Sequence, residues 1–78
     1  MAELLAYLAR ELVDDPAAVR VEEEERDDAF VLVLRLRVAP EDVGKVIGRG
    51  GRIVRALRTI MRATAVRDGR RVLVEIAE

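Results

Sequence analysis

Three glycines and two arginines interrupt an apolar run in Val46-Ile47-Gly48-Arg49-Gly50-Gly51-Arg52-Ile53-Val54. No other feature limits the fold of this chain as much. Glycine loses the most backbone freedom in a helix or strand and accepts positive φ without strain, so regular structure must stop here and restart. Ile47 and Ile53 pin the two ends of the break into a core, which sets pliable backbone and nearby cations on a rigid base.

Helical signals flank the break on both sides. Upstream, Pro40 at a first helical position, with Glu41 and Asp42 in the first turn, starts a short helix whose buried stripe is Val43, Val46 and Ile47. Downstream, a second helix runs from about Arg52 to Ala63 or Thr64. Its Arg52, Arg55, Arg58 and Arg62 fall within about 120° of arc, with Ile53, Leu57, Ile60 and Met61 roughly opposite. One side enters the core and the other presents four guanidinium groups.

The rest of the chain supplies a sheet and one more helix. Leu4, Leu5, Leu8 and Leu12 recur at helical spacing and predict a helix over about Ala2 to Val13, closed by Asp14-Asp15-Pro16, with Tyr7 exposed. Ala18 to Glu25 begins as an alternating strand and becomes an acid run, and Arg26-Asp27-Asp28 is a turn. Phe30, Leu32, Leu34, Leu36 and Val38 then form one apolar strand face, opposite a partly solvated face of Val31, Val33, Arg35 and Arg37. The two strands read as an antiparallel hairpin, with Glu22 to Glu25 as solvated edge residues that discourage aggregation. Asp68-Gly69 turns the chain into a last strand with Val72, Val74 and Ile76 on one face. The order is αββααβ, an α+β pattern.

At 78 residues the chain has room for one domain, spanning 1–78. So small a domain buries only roughly 60–65% of its unfolded surface. It therefore needs most of its apolar residues, which are 51% of the total. With no cysteine and no histidine, disulfides, thiolate chemistry and the usual zinc sites are excluded. The N-terminus lacks the pattern of a signal peptide, and no apolar run approaches the ~20 residues that span a bilayer. A cytoplasmic protein that does not enter the membrane is the expectation.

Charge is unevenly placed. Val43 to Arg71 holds nine of the 14 basic residues against one acid, Asp68, leaving five basic and fourteen of the 15 acidic residues elsewhere. Such asymmetry suits a surface that faces a polyanion, backed by one that repels it. The glycine loop sharpens this. Unpaired N–H groups at the start of the second helix, with its dipole, favour an anion, and glycines let a phosphate approach the backbone. Arg49 at the tip, flanked by Lys45 and Arg52, adds attraction. A plain helix–helix turn with glycine caps explains one of these glycines well and three beside cations poorly.

These residues resemble a known family. Gly48-Arg49-Gly50-Gly51 within "VIGRGGRIV" is similar to the GxxG loop of the I-G-x-x-G-x-x-I signature of KH domains, a loop that clamps four nucleotides. The αββααβ order is similar to the type II arrangement, and the likeness covers essentially the whole chain, including "VAPEDVGKVIGRGGRIVRALRTIM". The resemblance implies a three-stranded mixed sheet with three helices on one face. It also implies single-stranded RNA beside the loop, with phosphates at Gly48, Arg49, Gly50 and Gly51 and charge from Lys45, Arg52 and Arg55. Bases would lie against Gly44, Ile47, Val54 and the edge of the strand ending at Val38. Gly50 stands where the family commonly has a polar or basic side chain, which implies a more mobile loop and a weaker grip.

The small stand-alone bacterial members imply an RNA chaperone or post-transcriptional regulator, linked to cell elongation and division. Their partners imply a second KH-containing protein or self-association, so a protein-interaction module is the alternative function. No cofactor or metal is implied, and the chain does not read as an enzyme. The loop lacks the Gly-Lys-Ser/Thr ending of a phosphate-binding NTPase loop, and a helix rather than a strand precedes it. Gly48→Asp or Gly51→Asp is expected to remove RNA binding and spare the fold.

Overall fold

In the computed structural model, which describes residues 1–77, the strand with the strictest period-two pattern lies at the centre of the sheet. β1 (Arg20–Arg26) pairs antiparallel with β2 (Val31–Arg37), and β2 pairs parallel with β3 (Arg71–Ile76). A parallel neighbour cannot be reached by a hairpin and requires a crossover. The chain between β2 and β3 provides it as α2 (Val43–Ile47) and α3 (Arg52–Arg67), after α1 (Ala2–Leu12) has opened the fold. The α+β architecture and the αββααβ order expected of a type II KH fold are both observed.

One face of β2 builds the core. Leu32, Leu34 and Leu36 cluster with Leu5 and Ala9 of α1, Val46 of α2, Leu57, Met61 and Ala65 of α3, and Val72 and Val74 of β3. Each element therefore buries its stripe against the same leucines. The stripes differ in places from those expected. On α3 the buried positions are Val54, Leu57, Met61 and Ala65, so Ile60 lies at the rim and is 41% exposed. Phe30 is 50% exposed, because Asp27, Asp28 and Ala29 all take positive φ and the period-two pattern begins only after this turn. α3 also continues to Arg67, beyond Thr64.

The other face of the sheet holds the larger departure. Val33, expected to be partly solvated, is fully buried. Register places it between Glu24 and Leu73, under a lattice of paired charges whose aliphatic stems cover the middle of the strand. Arg35 bridges Glu24 at 2.8 Å and Glu75 at 3.0 Å, Arg26 also pairs with Glu24, and Arg37 pairs with Glu22. Glu25 reaches Arg70 at 3.2 Å. The glutamates do lie on the edge strand, with Glu22, Glu23 and Glu25 exposed as expected, and two of the four, Glu22 and Glu24, also pair across to β2.

Hydrogen bonds from Arg26 and then Arg35 hold the Glu24 carboxyl down at about 2, below its ordinary 4.5. A carboxyl depressed in the folded state contributes stability above its unfolded pKa, and that contribution disappears as pH falls through the folded value. Unfolding of the wild type and Glu24→Gln in urea, followed by circular dichroism, should therefore show the widest stability gap at neutral pH. The gap should narrow below pH 4.5 and close near pH 2. It should also shrink in 1 M salt, where the screening length falls to about 3 Å.

Candidate nucleic-acid interface

α2 stops because Gly48 turns out of it, at φ 77° and ψ 171°, with its amide donating to the Gly44 carbonyl at 2.9 Å. A Cβ on Gly48 would stand 2.7 Å from Ile53 Cγ1 and 2.9 Å from the Ile53 amide nitrogen. Only glycine lets the first turn of α3 come this near to the end of α2. Ile53 packs against the core and anchors the junction on the α3 side, whereas Ile47, expected to pin the other end, is half-buried outside the core cluster, and Val46 is the buried residue of α2. Gly48→Asp has no room and does not spare the fold as expected. Gly50, at φ 63°, has open space where a Cβ would be and is the position that tolerates a side chain.

Arg49–Gly51 forms a single 3-10 turn, and this changes which donors are available. The Gly51 amide donates to the Gly48 carbonyl at 3.1 Å and the Arg52 amide to the Arg49 carbonyl. The amides of Arg49 and Gly50 have no backbone acceptor among the described residues. Unpaired donors therefore sit at the loop tip, just ahead of the first turn of the helix. Behind them the 16-residue α3 points its positive dipole end at the same place. Arg55 Nη1 donates to the Gly50 carbonyl at 2.9 Å, tethering the residue whose lack of a side chain suggested a slack loop.

The expected site residues fall into distinct roles. Arg49 and Arg52 are exposed, with no side-chain acceptor among the described residues. Arg55 is engaged by the loop itself, and Lys45 lies against Asp14 and Asp42. Gly44 is exposed with open space above it, and Ile47 is half-buried, so both offer surface beside the loop. Val54 is buried at 7% exposure and meets the loop from below, its Cγ1 3.9 Å from where a Gly51 Cβ would stand. It supports the loop and is not open wall. The edge of β2 is not available either, since β1 and β3 occupy both of its sides and only Val38 onward is unpaired.

A groove of about 490 Å³ takes its place, between α3 and the outer edge of β3. Arg58, Arg62, Val66, Arg70, Arg71 and Leu73 are among its lining residues. Arg58 Nε crosses the groove to the Val74 carbonyl at 3.1 Å. The arginine arc on α3 was visible in the sequence; that β3 would lie beside it, with its far edge open, was not. Asp42 was also missed. It is 2% exposed, and its partner, the Asp15 amide, lies 27 positions away.

The chain resembles known proteins over almost its whole length. A family model described as the KhpA/KhpB KH domain matches residues 2–76. Proteins described as RNA-binding protein KhpA are 49% identical in Clostridium acetobutylicum, over 97% of this chain and 99% of the relative, and 50% identical in Treponema pallidum, over 97% and 92%. The Aquifex aeolicus protein of that description is 46% identical over 100% and 96%. Among solved structures, an Aquifex aeolicus Era variant bound to GDP·AlF4− superposes with a TM-score of 0.65 at 22% identity, covering 96% of this chain and 28% of Era. Era in complex with MgGDPNP and nucleotides 1506–1542 of 16S ribosomal RNA gives the same score and coverage. The match to Era is one of fold, confined to about a quarter of that longer chain. With a family model spanning nearly its whole length and relatives near half identity, this chain belongs to the KhpA/KhpB KH-domain family.

Proposed function

We propose that the protein binds single-stranded RNA in the cytoplasm, with the backbone clamped at the α2–α3 junction. The observation that carries this reading is the pair of unpaired amides at Arg49 and Gly50, beside the unengaged guanidinium groups of Arg49 and Arg52, on a junction fixed by the Gly48–Ile53 approach. Phosphates meet the loop amides, with Arg52 and Lys45 adding charge. Bases pass Gly44 and Ile47 and continue along the groove between α3 and β3, where Arg62 and Arg71 extend the positive track. The RNA-binding descriptions of the relatives support the same assignment.

Base stacking contributes little here. Phe30 adjoins Arg71, at the end of α3 away from the loop, and Tyr7 belongs to α1. Without aromatic platforms near the clamp, binding is governed by the backbone, with loose sequence preference and modest affinity for one domain. Such a module suits an RNA chaperone or post-transcriptional regulator, and resemblance to the stand-alone bacterial KH proteins extends the proposal to cell elongation and division. Pairing with a KhpB-like KH protein or a second copy belongs to the same proposal. It is supported by the family's joint description and by an apolar side chain left exposed on α3 outside the groove, Ile60.

Engagement of three to four phosphates gives a slope of log K against log salt of about −2 to −3 for a single strand. Raising salt from ~50 to ~200 mM should weaken binding roughly 15- to 60-fold in a fluorescence-anisotropy titration, and a flat dependence would contradict the clamp.

The loop glycines separate folding from binding. Gly50→Asp should keep the fold within about 1 kcal/mol, since aspartate tolerates the left-handed region, yet lose RNA affinity by more than tenfold through a carboxylate among the amides. Gly48→Ala should cost at least about 1–2 kcal/mol of stability, for positive φ alone, before any effect on binding. Thermal melts and anisotropy on the two variants check both outcomes. Unchanged RNA affinity in folded Gly50→Asp would rule out the loop.

A further inference from the structure

Lys45 lies on α2 one turn before Gly48, and its side chain is 44% exposed. Its ammonium already has two carboxylate partners. Its Nζ is 3.2 Å from Asp14 Oδ2 and 3.6 Å from Asp42 Oδ1.

The two carboxylates have different roles. Asp42 has a side chain only 2% exposed, and its Oδ2 accepts the Asp15 amide at 3.0 Å, so it staples the segment after α1 to the start of α2. It cannot leave without uncovering a buried charge. Asp14 is 81% exposed, and among the described residues its one ion pair is with Lys45. Nothing else holds it. The hydrogen bond to Asp14, with its charge, keeps the Lys45 ammonium above its ordinary pKa.

We propose that Asp14 is a built-in competitor for RNA phosphate: Lys45 exchanges the Asp14 carboxylate for a backbone phosphate when RNA docks, while Asp42 keeps the lysine in reach. This rests on the RNA-binding reading and adds to it a restraint on affinity. The exchange is of like for like, an oxyanion for an oxyanion on a flexible ammonium stem. Exposed ion pairs contribute little, so the competitor tunes binding and does not block it.

The test is anisotropy of a fluorescein-labelled random octaribonucleotide pool against six proteins at several salt concentrations: wild type, Asp14→Asn, Asp15→Asn, Lys45→Gln, Gly50→Asp and the double variant with Asp14→Asn in the Lys45→Gln background. Asp14→Asn should tighten binding roughly 2- to 5-fold, the range expected for releasing one exposed ion pair. It should steepen the salt slope by about 0.7, one further phosphate contact counted in full. Asp15→Asn makes the same change in net charge next door, at a carboxylate with no ion pair among the described residues, and should give a smaller gain with no change in slope. In the Lys45→Gln background the Asp14→Asn gain should vanish. An Asp14→Asn gain that matches Asp15→Asn, or that survives without Lys45, overturns the exchange. Binding that is absent in the wild type or indifferent to Gly50→Asp overturns the RNA reading beneath it. Binding that needs Gly50 but ignores Asp14 overturns the exchange alone.

Discussion

Burial of β2 is the constraint from which the rest of the molecule follows. A strand with leucines on one face, a buried valine on the other and partners along both edges can only be central. Its antiparallel neighbour needs a hairpin, and its parallel neighbour needs a crossover long enough to return the chain to the same end of the sheet. In a chain of 78 residues that crossover must also cover the leucine face. Two helices meet the need only if the chain turns sharply between them. The glycine junction is thus first a solution to packing.

That origin explains why the junction is a good place for an anion. Gly48 is required by the approach of Ile53, and a glycine fixed by packing leaves the neighbouring amides without side-chain cover. The 3-10 turn consumes two donors and leaves the pair at Arg49 and Gly50. Arg55 takes the Gly50 carbonyl, so the acceptor at the tip is occupied while the donors are not. The local field is therefore one-signed.

The sequence made the scaffold legible because periodicity records which side of an element is buried. The leucines at 32, 34 and 36 and the valines at 72 and 74 sit where alternation put them, and the glycine run marked the junction between the two helices. Periodicity is silent about partners distant in the chain. Val33 is buried between Glu24 on one neighbouring strand and Leu73 on the other, which no local pattern encodes. Asp42 looked like a first-turn helix acid and is held by an amide far upstream. Arg55 and Arg58 belonged to a plausible free arginine face, but each found a carbonyl, one in the loop and one on β3. Ile60 lost its place in the core when Val54 took the stripe. In each case the missing information was which element lies next to which.

Arg58 has one more effect. By reaching the Val74 carbonyl it occupies part of an otherwise open sheet margin, while ion-paired glutamates guard the opposite margin on β1. Neither side is a bare template for another strand. A small domain with both sheet margins occupied in this way resists adding a strand from a neighbouring copy.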